Sequence, residues 1–176
     1  MKKFIPLVLL LISSIFILSC KDDNDDIVQV EVDYPTVYDI NVNLVQNDTN
    51  YFGFNQPFNG ALLSQDIVLV YRKSNPGQNN PIWESLPKTY FFGADEMDYT
   101  FNFTREDVQI DLNANFNLAT TDGTFKSQYI NGQTFRVVLV PAVFGNKNAN
   151  SVDPRKLSYE EVIRLYNIDD SKIGKL

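Results

Sequence analysis

The chain has no histidine and a single cysteine, Cys20, in 176 residues. Without imidazole there is no Ser-His-Asp or Cys-His nucleophile system and no histidine metal ligand, which removes most routes to hydrolytic and zinc chemistry. A lone cysteine forms neither an intramolecular disulfide nor a C-x-x-C dithiol, so packing alone must hold the fold. Basic residues are in deficit, 15 against 22 acidic ones, for a formal net charge of −7. No Lys/Arg cluster interrupts that balance, so a nucleic-acid partner lacks its electrostatic footprint. The glycine-rich cradles for dinucleotides and phosphates, G-x-G-x-x-G and the P-loop, are missing as well. No cofactor, no metal site and no catalytic residue are expected.

What is present is a globular composition, 44% hydrophobic with 13% aromatics, behind an unusual start. Met1-Lys2-Lys3 is basic, and Phe4 to Leu18 is an apolar run broken by Pro6 and Ser13-Ser14. That run is too short to cross a hydrocarbon layer of roughly 30 Å comfortably, and it has the length of a signal-peptide core. Ile17-Leu18-Ser19-Cys20 puts an aliphatic residue at −3, a small one at −1 and cysteine at +1. It resembles the lipobox of bacterial lipoproteins, although leucine at −2 is less usual than a small residue. Residues 1–19 therefore read as a lipoprotein signal peptide, and Cys20 as the lipidation site whose acyl chains hold the protein on a membrane. The alternative is an ordinary secretory signal with a chance cysteine. The mature chain would keep 176 − 19 = 157 residues, one domain by size, and a charge of −9 after loss of Lys2 and Lys3.

Lys21-Asp22-Asp23-Asn24-Asp25-Asp26 cannot bury itself and reads as a self-repelling tether. Cys20-Lys21-Asp22-Asp23 also resembles the acidic export signal that sends Bacteroidota-type lipoproteins to the outer face of the outer membrane. A calcium site here is disfavoured, because a flexible run must be ordered before it can hold an ion.

From Ile27 the pattern has period two. Ile27 to Val32 reads as a short strand, and Tyr38, Ile40, Val42 and Leu44 share one face of a second, half-solvated strand. Asp66 to Arg72 is a near-continuous apolar run with the length of a central strand. Lys73 to Pro81 is a breaker-rich loop, and Tyr90 to Thr104 is a hairpin about Gly93. Val108 to Leu118 continues the alternation. Asp122-Gly123 and Asn131-Gly132 read as hairpin dipeptides, and Thr134 to Val140 as a buried strand. Helix is expected only near the end, where Ser158 and Glu161 form a capping box with Leu157 and Val162 as staple, ahead of a frayed tail over 169–176. The fold class is all-β: an antiparallel sandwich, immunoglobulin-like or related, with one short C-terminal helix. Domain bounds follow as 1–19 signal, 20–35 lipidated cysteine, tether and first short strand, 36–145 sandwich, and 146–176 loop, helix and tail.

Most aromatics are expected in the core. Trp83, Tyr51 and Phe54 lie beside turn-prone segments and are the candidate ligand-binding residues, suited to stacking on a sugar ring. Asp111 to Asp122 spaces oxygens like a calcium loop but has Phe116 where glycine is needed, so a strand explains it better. Carboxylate pairs such as Glu84 with Glu96, or Glu106 with Asp107, read as solvated surface charge. The blocks Asp66–Arg72, Pro81–Pro87, Tyr99–Thr104, Val108–Ile110 and Phe135–Pro141 together resemble a family of small Bacteroidota-type surface lipoproteins of unknown function. Members of that family can carry a dihydrolipoamide dehydrogenase label, which requires an FAD/NAD fold, a redox dithiol and a catalytic histidine; this chain has none of them. The expected role is a non-catalytic outer-membrane lipoprotein on the cell exterior, anchored through its lipid and serving a protein partner or the envelope itself. A glycan-binding accessory lipoprotein is the alternative.

Overall fold

The computed structural model describes residues 36–141, 152–174 and 176. Cys20, Lys21, Asp22 and Asp23, and the strand expected over Ile27 to Val32, lie outside them. Nine strands run in order: β1 Thr36–Val42, β2 Val45–Asp48, β3 Tyr51–Pro57, β4 Ile67–Lys73, β5 Trp83–Ser85, β6 Lys88–Phe92, β7 Asp95–Phe103, β8 Asp107–Ala114 and β9 Gln133–Val140. Helix α1 spans Gly123–Tyr129 and α2 spans Tyr159–Tyr166. Every strand pairing is antiparallel, in a four-stranded sheet ordered β1-β9-β4-β5 and a five-stranded sheet ordered β2-β3-β8-β7-β6. The protein is an all-β sandwich with a short C-terminal helix, as its alternating strands imply. Among the described residues no helix is long and apolar enough to cross a membrane.

Period-two patterning explains how the sheets face each other. Val108, Ile110 and Leu112 of β8 and Met97 and Tyr99 of β7 point inward, against Ile40 and Val42 of β1, Val68 and Val70 of β4, and Phe135 and Val137 of β9. The intervening residues set the two outer faces apart. In the four-stranded sheet these are Val37, Leu69, Tyr71, Val138 and Val140, and α2 covers them with Tyr159, Val162 and Tyr166. In the five-stranded sheet they are Tyr51, Gly53 and Asn55 of β3, Gln109, Asp111 and Asn113 of β8, and Asp98, Thr100 and Asn102 of β7. One sheet is apolar on both sides; the other is apolar on one side only.

The capping box of α2 is present in full: Ser158 Oγ accepts from the Glu161 N–H at 3.3 Å, and Glu161 Oε2 accepts from the Ser158 N–H at 2.8 Å. Leu157 packs on the same cluster as Val162. Asp122-Gly123, expected as a hairpin, instead opens α1. The Asp122 carboxylate accepts from the Phe125 N–H at 2.7 Å, which makes it an N-cap, and Phe125 and Tyr129 anchor the turn against the core edge. Helix is therefore not confined to the C-terminus. Asn131-Gly132 joins α1 to β9 rather than two strands, with Gly132 at φ +61 just past the helix end. Strand β8 stops at Ala114 instead of running to Leu118, because the Asn117 side chain caps a short 3₁₀ turn over Leu118–Thr120. The tail is not frayed at Gly174, which bridges Tyr38 in parallel and donates its N–H to the Val37 carbonyl at 2.8 Å. A Cβ there would lie 2.7 Å from the Tyr38 ring, so glycine permits the close approach.

Ile110 is fully buried between the sheets, whereas Ser158 is exposed. Ile110→Ala should lower the unfolding free energy by roughly 2–5 kcal/mol, and Ser158→Ala by about 1 kcal/mol. Urea titration of the purified chain, read by the fluorescence of its single tryptophan, ranks the two; equal costs would contradict the shared core.

Candidate functional site

Two arginines sit where strand patterning calls for apolar residues, at adjacent cross-strand positions of β4 and β9 but on opposite faces of the four-stranded sheet. Arg136 lies in the outward row of β9, opposite Asp39 of β1 and Tyr71 of β4. Its Nε and Nη2 donate to the two Asp39 carboxylate oxygens at 2.7 and 2.8 Å, a bidentate pair. Its Nη1 donates to the Tyr159 hydroxyl at 2.7 Å, and that hydroxyl donates to Asp170 at 3.1 Å. The guanidinium also stands 4.1 Å from the centre of the Trp83 ring. Burial works against its charge, but Asp39 and Tyr159 outweigh burial and raise its pKa. Above this cluster lies a depression of about 370 Å³, floored by Trp83 and Tyr159 and rimmed by Asn80, Glu160, Arg164 and Asp170.

Arg72 faces inward at the end of the sandwich beside α1 and is 2% exposed. Nε and Nη2 both reach Gln133 Oε1, at 3.0 and 2.8 Å; Nη2 also donates to the Gln128 carbonyl at 2.6 Å and Nη1 to the Tyr90 hydroxyl at 3.0 Å. The rings of Tyr99, Tyr129 and Tyr90 surround the guanidinium at 4.9, 5.4 and 5.7 Å. Tyr90 donates onward to Glu84, which lies 3.7 Å from Arg72. Among the described residues no buried side-chain polar atom lacks a hydrogen-bond partner. Both arginines are thus spent on internal partners, and what they do chemically is tie sheets and helices together.

A second, wider depression of about 610 Å³ lies on the outer face of the five-stranded sheet, lined by Val45, Asn47, Tyr51, Gly53, Phe54, Asn55 and Gln109. Its centre is Gly53, where a Cβ would meet Gln109 Nε2 at 2.8 Å, Asn47 Nδ2 at 3.0 Å and Asp111 Oδ1 at 3.2 Å. Asp111 accepts from the Tyr51 hydroxyl at 2.8 Å, from Gln109 Nε2 at 2.8 Å and from Asn102 Nδ2 at 3.3 Å. That carboxylate, with burial adding to it, holds the Tyr51 phenol above its ordinary pKa and so keeps it a donor.

Of the three candidate ligand-binding residues, Tyr51 and Phe54 meet at this second depression, with Phe54 half-buried toward the core. Trp83 is on the other sheet, half-buried under α2, and Arg136 occupies one face of its ring. Most other aromatics pack inward as expected, whereas Phe91 is 72% exposed on β6. Glu84 is not mere solvated charge, since it pairs with Arg72, Lys88 and Tyr90. Neither arginine cluster was singled out from sequence. The available signal was a cation inside an apolar strand run, twice. No family model matches this chain, and no curated protein or solved structure does either.

Removing one partner of the buried pair leaves a stranded charge. Asp39→Asn should destabilise the protein by roughly 3 kcal/mol, and the double change Asp39→Leu with Arg136→Met by less; thermal unfolding of the two variants gives the order. Burial, the leading cause in each case, raises the phenol pKa of Tyr71, Tyr90 and Tyr99 and pushes Tyr159 from 10.0 up to about 12. The unfolded chain ionises these groups first, so stability is fully present below pH 10.0 and is lost as the pH rises toward about 12. The part of the tyrosinate absorbance that these four phenols supply should appear together with the loss of circular dichroism. Ionisation of these four phenols near pH 10.0 with the fold intact would be the contrary result.

Proposed function

We propose that the chain is a lipid-anchored, non-catalytic outer-membrane protein displayed on the cell exterior, whose sandwich serves as a binding or envelope-structural module. The observation that carries this reading is the order of three sequence elements: a lipobox-like Ile17-Leu18-Ser19-Cys20, the acidic run Lys21 to Asp26, and a β domain beginning at Thr36. Acyl chains on Cys20 supply membrane affinity at about 0.8 kcal/mol per buried methylene, and the run of like-charged aspartates has the composition of a self-repelling spacer. Lipidation also takes the chain's one thiol out of redox and nucleophilic chemistry.

The non-catalytic part of the reading draws support from how the strongest polar groups are used. Histidine is missing from the whole sequence. Arg136, Asp39 and Tyr159 satisfy one another, as do Arg72, Gln133 and Tyr90. A general acid or base must reach a proton on substrate, and these clusters direct their donors to one another.

Expression of the wild type and Cys20→Ala in a bacterium with labelled palmitate tests the anchor directly. Label should enter the wild type and be absent from the variant, and protease added to intact cells should digest the wild-type domain. Unlabelled wild-type protein would defeat the anchor, and full protection on intact cells would defeat display on the exterior. Replacing Asp22 and Asp23 with alanine is expected to leave labelling in place and to reduce exposure to protease at least several-fold.

A further inference from the structure

We infer that the outer face of the five-stranded sheet, around Gly53, is a binding site for a neutral, hydroxyl-rich ligand, that is, an oligosaccharide. The inference rests on the binding-module reading above and gives that module its ligand class.

Each outer face of a sandwich meets something. On the four-stranded sheet it is α2, and the outward residues there are apolar. On the five-stranded sheet the outward positions of β3, β8 and β7 carry amides, carboxylates, a threonine and a tyrosine, with no lysine or arginine among them. Such a face does not suit another protein's apolar core, and it lacks the cations that would hold an anion.

Three features make this a site and not merely a wet surface. The first is the hollow, the depression of about 610 Å³ into whose floor the Gln109, Asn47 and Asp111 side chains pack over Gly53, so closely that only glycine leaves them room. The second is Tyr51. Its cross-strand neighbour is Asn113, yet its hydroxyl bonds to Asp111, two residues further along β8. A hydroxyl tied at that diagonal position fixes the half-buried Tyr51 ring where it lines the hollow. The third is how the polar groups are committed. Asp111 accepts from three neutral donors, Tyr51, Gln109 and Asn102, which fill most of its roughly four acceptor positions. Asn55 likewise gives its amide N–H to Asp107 at 3.0 Å. Among the described residues the amide oxygens of Gln109, Asn102 and Asn55 take no hydrogen bond from the protein, whereas their N–H groups do find partners, so they remain as neutral acceptors. Hydroxyl hydrogens satisfy such acceptors, and the apolar face of a pyranose ring satisfies Tyr51. A sugar brings both at once.

The test uses the full-length chain in a detergent without a sugar headgroup. It is passed over an array of neutral and uronic-acid-containing oligosaccharides, with a lysine-rich peptide as a cationic probe. Retention on neutral glycans is expected. It should weaken at least tenfold in Tyr51→Ala and in Gly53→Val, which pushes Gln109, Asn47 and Asp111 out of place, less in Tyr51→Phe, and not at all in Leu63→Ser, an exposed position away from the face. Far-ultraviolet circular dichroism and the unfolding midpoint of each variant separate a lost site from a lost fold, and Asn55→Ala, on an exposed side chain that lines the depression, gives a second probe of the same hollow. No retention, retention of acidic glycans or the peptide alone, or loss through Trp83→Phe with Tyr51→Ala unaffected would each overturn the assignment. Palmitate labelling of the same preparation reports on the anchor independently, so failure of one reading is not mistaken for failure of the other.

Discussion

Strand β9 is buried on both faces, and the rest of the molecule follows from that constraint. Phe135, Val137 and Leu139 fill the space between the sheets, while Val138 and Val140 face the other way. A strand with apolar side chains on both sides requires cover on both sides. The five-stranded sheet supplies one cover and α2 the other, so the C-terminal helix is a wall of a second core. The capping box serves that role: it fixes where α2 starts, and the start determines whether Tyr159, Val162 and Tyr166 fall on the sheet.

Into this second core the chain inserts one charge, Arg136. A buried cation is costly unless it is paired and fully hydrogen-bonded. Asp39 answers it from the neighbouring strand and Tyr159 from the helix, and the Trp83 ring lies against it. An apolar isostere would stabilise as well or better, so the arrangement contributes orientation more than energy. A greasy helix face can slide over a greasy sheet. A helix whose tyrosine must meet a fixed guanidinium has one register. Arg72 plays the matching part on the opposite face of the same sheet, joining β4, β9, β6 and the end of α1 through Gln133, Tyr90 and the Gln128 carbonyl.

The period-two stretches made most of this legible beforehand. The alternation in Met97 to Phe103 and the apolar runs about Val68 and Val138 placed the sheets, and Ser158 with Glu161 placed α2. What escaped was decided by local competition or by distance. Asp122-Gly123 has the chemistry of both a tight turn and a helix N-cap, and Phe125 and Tyr129, four apart, decide for helix by finding an aromatic wall in Phe92 and Phe116. The Asp39–Arg136 pair joins positions 97 residues apart, and no local pattern announces a partner at that range. Tyr51 and Phe54 could be marked as aromatics near a turn, but their alternation sends one outward and the other toward the core. Trp83 was marked for the same reason, and its platform is taken by Arg136.

The sheet edges show how the open, polar face can exist without making the protein sticky. An unpaired edge invites another strand, and flat sheets with a solvated face are the most exposed to that risk. Here β1, the edge of the doubly covered sheet, is met by the chain's own Gly174, which fits only because no Cβ intrudes on Tyr38. Strand β5 is three residues long, and β2 is four residues with an irregular register between Gln46 and Asp48. Edge strand β6 remains, five residues ending at the exposed Phe91 and Phe92, with Lys88 at its start. Three of the four edges are therefore shortened, kinked or occupied. Assembly through those three edges is disfavoured, and the broad amide-lined face around Gly53 lies between β2, one of them, and the open edge β6.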